Sequence, residues 1–420
     1  MTVTSAKSST VDEQRWPDVA TLPRSRVRAA VATVLARRIF ARLPLRVAGR
    51  DGTITGGGGP DAPLMVLHRP EAFFQRLGAR GLIGFGEAYQ AGDWDSPDLT
   101  AVLTVFAERV TTLVPHRLQS LRRLQAARQP RAEENTVDGA QRNIHRHYDL
   151  SNDLFALFLD DTMTYSSALF TEPAEGAWPA LADAQHRKVD RLLDLAGVGP
   201  GTRLLEIGTG WGELAIVAAH RGAWVHSVTN SSEQRELAQR RIDAAGVGER
   251  VRLELRDYRE ITPPPGGFDA AVSVEMIEAV GEKYWPTYFS TVDSLLVPGG
   301  RFGLQAITMS HERMLATRST YTWMHKYIFP GGLIPSVTAI EEICRRRTRL
   351  RLEQTYAFGA HYAQTLRLWR ERFTGRCTEL APLGFDHTFE RTWRFYLSYC
   401  EAGFAAGYID VHQLLLRPSL

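Results

Sequence analysis

The residues best suited to chemistry lie in LLEIGTGWG, Leu204 to Gly212, where an apolar run ends in an acid and a glycine-rich turn. The run reads as a buried parallel strand. Gly208, Gly210 and Gly212 let the backbone turn sharply and approach a ligand closely. The dinucleotide fingerprint G-x-G-x-x-G is the obvious rival. Here the spacing is Gly208-x-Gly210-x-Gly212, and Glu213 stands where that fingerprint needs its third glycine. Glu206 would repel a pyrophosphate, but it can hold the amino-acid end of S-adenosylmethionine indirectly. After the next apolar run come Thr229-Asn230, and Ser231 caps a helix whose third residue is Gln234, a capping-box arrangement. Thr229, Asn230 and Gln234 are candidates for the ribose contacts. Asp257-Tyr258 follows a third run, placed to bind the adenine amine and cover the ring.

Positioning these residues requires an α/β framework. From about Asn143 the chain alternates in that manner, with probable strands at 203–208, 224–229, 251–258, 268–274 and 301–307. Two further strand candidates, near 350 and 408, bracket a long helical region. Seven strands with a late hairpin predict a doubly wound sheet of the class I methyltransferase type. Residues 311–337, between the fifth and sixth strands, form an insertion too aromatic for a simple loop. Tyr321, Trp323, Tyr327 and Phe329 in it are candidates either to line an apolar substrate channel or to fill a core.

Ahead of this domain, residues 1–25 are polar and expected to be disordered, and 26–130 read as a small α+β domain. Residues 131–142 read as a linker and 143–420 as the catalytic domain. Val27, Val31, Leu35, Ile39 and Leu43 recur every four residues, with Arg28, Arg37, Arg38 and Arg42 mostly off that stripe. Such a helix can lie on an anionic lipid surface, although packing its stripe on its own domain is the first expectation. A second arginine-bearing helical pattern spans 117–128.

A net charge of +3 over 420 residues does not argue for nucleic acid. Cys344, Cys377 and Cys400 match neither a disulfide framework nor a metal-ligand spacing, so a reducing cytoplasm and no metal are expected. No apolar run approaches the roughly 18–20 residues that span a bilayer. The N-terminus has no apolar core of the signal-peptide kind. Any dealings with a membrane are therefore expected at its surface, on the inner face.

Taken together, the sequence closely resembles the cyclopropane-fatty-acyl-phospholipid synthase family. The matching stretches are RHYDLSNDLF, TYSS, LLEIGTGWG, VTNSSEQ, LRDYRE, FDAAVSVEMIEAVG, YIFPGGLIPS, FGAHYAQTLRLW and YIDVHQLLLRP, in order from Asn143 to the C-terminus. GFGEAYQAGDW in the first domain matches too. The resemblance implies an S-adenosylmethionine cofactor and an unsaturated acyl chain presented by a phospholipid. It places Tyr165, Ser166, Gly208, Gly210, Thr229, Gln234 and Tyr258 against the cofactor, with RHYDLSND and TYSS as a lid. It also implies that the N-terminal domain engages lipid and mediates dimerisation.

An isolated alkene is a poor nucleophile, so a sulfonium methyl must be held in line with the π-bond. Transfer leaves a carbocation that water would trap, and the pocket must be dry. A base then removes a proton. The resemblance implies a bicarbonate ion in this role, held by a cysteine, a glutamate, a histidine, a tyrosine and a backbone group. Glu278, Tyr362 and the backbone of Ile307 match three of these, while Ser167 stands for the cysteine and Gln305 for the histidine. The base is thus either bicarbonate so held or Glu278 itself. Loss of a proton from the transferred methyl closes a cyclopropane ring; a hydride shift first leaves an exocyclic methylene. Ser167, Gln305 and the N-terminal extension resemble the actinobacterial branch that makes 10-methylene chains, so that product is expected ahead of the ring, with a separate reductase as partner. A small-molecule O- or N-methyltransferase would share the glycine turn but leave the HYDLSND block, Glu278 and Tyr362 unexplained. A non-catalytic lipid-binding protein is the remaining alternative.

Overall fold

The computed structural model describes residues 11–113, 151–173 and 176–419, together with 130, 134–136 and 139. The 117–128 helical pattern, most of the linker and the RHYDL half of the expected lid lie outside the described residues.

The chain forms two compact units. Unit 1 takes residues 1–126, 321–328 and 370–406, so it draws on two later segments beyond the expected 26–130. Its four-stranded sheet comprises β1 (Arg46–Ala48), β2 (Ile54–Thr55), β3 (Leu64–Leu67) and β4 (Trp94–Asp95), in the order β2-β1-β3-β4. Helices 70–80, 82–90 and 387–405 enclose a core that includes Phe73, Tyr89, Trp94, Trp323 and Phe395. Fully buried Glu87 accepts hydrogen bonds from Arg80 (2.7 Å), Lys326 (2.6 Å) and the Tyr327 hydroxyl (2.9 Å). Trp323 lies where a Cβ on Gly86 would come within 2.4 Å of its indole, and its Nε1 donates to Gln90 Oε1 at 2.9 Å.

Two expectations are corrected here. Residues 11–25 are ordered: Pro17–Ala20 form a helical turn, and the Trp16 indole donates to Asp386 Oδ2 at 2.8 Å. Asp18 pairs with Arg80 at 3.0 Å and Lys326 at 2.7 Å, so a polar segment is fixed by charge and one aromatic anchor rather than by an apolar run. The helix Arg26–Phe40, moreover, buries Ala32, Ala36 and Phe40 and leaves Val27, Val31, Val34 and Leu35 exposed. The reason is close approach: a Cβ on Gly78 of the neighbouring helix would sit 2.5 Å from the Arg28 carbonyl oxygen. The small-residue face can pack that tightly, and the Val/Leu stripe cannot.

Unit 2 holds the seven-stranded sheet: β5 (Arg203–Ile207), β6 (Trp224–Thr229), β7 (Val251–Leu255), β8 (Phe268–Val274), β9 (Leu296–Thr308), β10 (Leu350–Ala357) and β11 (Asp410–Pro418). Its order is β10-β11-β9-β8-β5-β6-β7. β7, β6, β5, β8 and β9 run parallel, and β11 lies antiparallel between β9 and β10. Every expected strand is present. Both faces of the parallel part are covered: Leu205, Ile207 and Phe302 pack in one layer, Leu204, Val225 and Val272 in the other. Burial on both sides explains the near-continuous apolar runs. The chain leaves β5 toward β6 and β7, then returns to β8 on the other side of β5. This makes a switch point, outside whose carboxyl ends ligands bind in such sheets. Among the described residues, no helix is long and apolar enough to cross a membrane.

Candidate active site

At the carboxyl end of β5 the turn uses positive φ at Gly208 (97°), Gly210 (53°) and Gly212 (93°). A Cβ on Gly210 would meet nothing within 4 Å, so there the backbone conformation, and not crowding, demands glycine. The Gly208 and Thr209 amides both donate to the Val228 carbonyl, at 3.0 and 3.2 Å, which fixes the turn against β6. Glu206 is buried and accepts a short hydrogen bond from the Ser227 hydroxyl, which also pairs with Thr209 Oγ1 at 2.7 Å. Burial pushes the Glu206 carboxyl up to about 8.

The ends of β6 and β7 lie beside this turn because those strands follow β5 in the sheet. Ser231 Oγ accepts the Gln234 amide at 3.2 Å, as a cap should. The other half of the capping box is not made, because Gln234 Oε1 accepts from Thr229 Oγ1 (3.2 Å), which in turn accepts the Ser231 amide (3.2 Å). Asn230 Nδ2 reaches Asp257 Oδ2 at 3.4 Å. Although burial works the other way, two Arg259 hydrogen bonds of 2.7 Å hold Asp257 below the ordinary carboxylate range. The Tyr258 ring packs edge-on against Tyr288, and its hydroxyl is buried with no partner among the described residues. A nucleoside cofactor fits this row: open space at Gly210, a carboxylate and an amide at the rim, and an orphaned hydroxyl.

The described half of the expected lid begins at Ser151. Asn152 accepts from the Trp211 indole at 2.7 Å and Phe155 packs on the same ring, so this segment lies on the glycine turn. Tyr165 sits among Phe155, Phe158 and Trp369. The Ser166 hydroxyl accepts from fully buried Lys188 at 2.7 Å. Burial lowers the Lys188 ammonium to about 8, against the pull of Glu275, Asp160 and Glu213.

The end of β8 carries a residue that the sequence reading missed. Glu275, at φ 50°, is half-buried, and its Oε1 accepts the Ser167 amide at 3.0 Å and Gln305 Nε2 at 2.8 Å. Its Oε2 accepts the Tyr362 hydroxyl at 2.6 Å. Ser167, Gln305 and Tyr362 thus gather as expected, but around a carboxylate of the chain itself. The Ser167 hydroxyl turns away to the Ala168 carbonyl (3.0 Å), leaving the backbone N–H to make the contact. Gln305 is oriented by Gln413, whose Nε2 donates to its Oε1 at 3.0 Å and to the Lys188 carbonyl at 3.0 Å. Glu278 Oε1 accepts the Ile307 amide, while its Oε2 is buried with no partner among the described residues. Burial and the neighbouring Glu275 push Glu278 up to about 8. Glu275 is also raised by burial, but its three donors and Lys188 all work against that shift. The missed signal was in SVEMIE, where Glu275 directly follows the apolar strand β8.

The four aromatic channel candidates do not form one group. Trp323 belongs to the unit 1 core with half-buried Tyr327 packed on it, ring centroids 5.5 Å apart, and Tyr321 stacks on His325 in the same unit. Phe329 belongs to unit 2. The polar tips decide this, since Gln90 and Glu87 give the indole and phenol partners that a hydrocarbon channel would not.

The strand order, the glycine turn and the polar residues at three successive strand ends define a class I methyltransferase fold. Residues 136–414 match the family model described as mycolic acid cyclopropane synthetase, and the chain belongs to that family. It is 54% identical over 415 residues, covering 97% of this chain and 96% of the relative, to the tuberculostearic acid methyltransferase UfaA1 of Mycobacterium tuberculosis. It is 32% identical to the cyclopropane-fatty-acyl-phospholipid synthase of Escherichia coli, over 89% of this chain and 92% of that one. Among solved structures, the mycolic acid cyclopropane synthase CmaA1 complexed with SAH and CTAB superposes with a TM-score of 0.59 at 30% identity, over 66% of this chain and 97% of that one.

Proposed function

We propose that this enzyme transfers a methyl group from S-adenosylmethionine to the double bond of an unsaturated phospholipid acyl chain and leaves a 10-methylene chain. The observation that carries the reading is the half-buried pair Glu275 and Glu278, with buried Tyr362, Ser167 and Gln305, at the sheet's switch point beside the glycine turn. Transfer to a heteroatom leaves no carbocation; transfer to an alkene does, and it then needs a base that keeps water out. The similarity over nearly full length to a tuberculostearic acid methyltransferase supports the methylene product.

Bound at the turn, S-adenosylmethionine supplies a sulfonium methyl electrophile. Gly208, Gly210 and Gly212 let the backbone approach it; Thr229, Asn230, Gln234 and Asp257 serve the ribose and adenine; Tyr258 covers the ring. Glu206 acts on the amino-acid end through the framework it shares with Ser227 and Thr209. Tyr165 and Ser166 close the site from the lid. The lipid partner is supported by the helix Arg26–Phe40, which exposes Val27, Val31, Val34 and Leu35 beside Arg26, Arg28, Arg37 and Arg38, a pattern suited to an anionic membrane surface. The methylene product then needs a reductase that adds hydride and proton to give a methyl branch.

Mass spectrometry of lipids from cells expressing the chain, supplied with oleate-containing phospholipid, tests this. Monounsaturated chains should gain one CH2 and take up hydrogen under mild catalytic hydrogenation. A gain that resists hydrogenation identifies a ring instead; no gain, in cells whose enzyme binds cofactor, sinks the reading.

A further inference from the structure

The family resemblance implies a bicarbonate ion held by Ser167, Gln305, Tyr362, Glu278 and the Ile307 backbone, and the first three of these do not fit one. All three donors are spent on Glu275. An added anion would have to displace that carboxylate and then sit against its charge in a buried site. We propose that Glu275 is the base of the reaction, a built-in carboxylate in the position of an exchangeable anion. The proposal rests on methyl transfer to an alkene as described above.

The step balances without a further reactant. The alkene π pair forms the new carbon–carbon bond as the sulfur–methyl bond breaks, and that bond's electron pair stays on sulfur. A 1,2-hydride shift moves the cation to the methyl-bearing carbon, a Glu275 oxygen then takes a proton from the transferred methyl, and that C–H pair becomes the second bond of the exocyclic methylene. The resulting carboxylic acid returns its proton to solvent after the product leaves. A carboxylate has about four lone-pair sites, and the three hydrogen bonds at Glu275 leave room for one more. A proton beside a carbocation is acidic enough that strong basicity is not required.

Two further observations separate Glu275 from Glu278. Glu275 is one of three non-glycine residues at positive φ among those described, a conformation that costs energy and persists where surrounding contacts enforce it. Those contacts hold its carboxyl aimed, and burial raises its pKa while the three donors and Lys188 favour the charged form. Glu278 accepts the Ile307 amide through one oxygen, while its other oxygen has no partner among the described residues, so its carboxyl is the less firmly held of the two. Gln413 and Lys188 are positioning residues, the first orienting Gln305 and the second supplying positive charge near Glu275.

The test uses the full-length enzyme on vesicles of oleate-containing phospholipid, in buffer stripped of carbon dioxide and then with bicarbonate restored. Wild-type turnover should be the same in both, and labelled bicarbonate should not bind. Glu275→Gln should lose roughly a hundredfold to ten-thousandfold in turnover, the usual contribution of a positioned base, and more than Glu278→Gln loses. Glu275→Gly, which also suits the positive φ, should open the cradle, bind labelled bicarbonate and recover turnover when it is added. Binding of S-adenosylhomocysteine by each variant reports that it is folded. Wild-type dependence on bicarbonate, full turnover in Glu275→Gln, or a loss confined to Glu278→Gln would each overturn the assignment while leaving alkene methylation standing. No product from wild type in either buffer overturns both.

Discussion

Three ionisable groups, Glu206 and Lys188 buried and Glu278 half-buried, set the character of the site at the level of single residues. Glu206 and Glu278 are pushed up to about 8, and Lys188 down to about 8, in each case chiefly by burial. A carboxyl with a raised folded pKa binds its proton more tightly folded than unfolded. Its contribution is therefore full below the unfolded value of 4.5 and is lost as pH rises toward 8. For one group the slope is at most about 1.4 kcal/mol per pH unit. Urea unfolding of the ligand-free enzyme at intervals between pH 5 and 8 should show stability falling with pH. Glu206→Gln keeps the shape and removes the titration, so it should flatten part of that fall. An unchanged slope in the variant would mean that Glu206 is already ionised in the folded protein. Ser167, Gln305 and Tyr362 were legible as one cluster only through the family resemblance, and the carboxylate at its centre was not legible at all, because an acid at a strand's end looks the same whether it faces solvent, a cofactor or its neighbours.

Among the elements, the helix Arg26–Phe40 departs most from its sequence pattern. A four-residue apolar repeat ordinarily marks the packed face. Here the alanine face packs, because Gly78 allows the neighbouring helix to approach the Arg28 carbonyl, and the valines and Leu35 are left outside among arginines. If that face meets anionic lipid, Val31→Asp with Leu35→Asp should weaken cosedimentation with anionic vesicles by roughly tenfold or more, since each apolar side chain is worth about 1.5–3 kcal/mol on burial. Both positions are exposed, so thermal stability should barely change. Equal vesicle binding by the variant would remove this helix from the membrane contact. The strands behaved differently. Burial on both faces writes itself into composition, and each expected strand lies within a few residues of its place. The early start of β9, at Leu296, was hidden by Pro298, Gly299 and Gly300.

For the whole molecule, the later segments 321–328 and 370–406 complete unit 1. Trp323 is 3% exposed, fills the space left by Gly86, and packs on Phe395 with ring centroids 4.7 Å apart. Trp323→Ala should therefore cost about 3–5 kcal/mol, the range for deleting a large buried aromatic. Chemical denaturation would check it; a cost below about 1 kcal/mol, the scale of a surface change, would instead mark Trp323 as free to serve another role. The sequence by itself determined the seven strands, their α/β class, the glycine turn and the set of polar residues at the strand ends. These follow from local rules: apolar periodicity, positive φ and side-chain chemistry. Only the tertiary structure decided which carboxylate the cradle holds, which face of the first long helix packs, and that Trp323 of the aromatic insertion fills a core. Those outcomes turn on which partners meet across long stretches of chain, such as Glu275 with Tyr362 and Gly86 with Trp323. No local pattern encodes such a meeting.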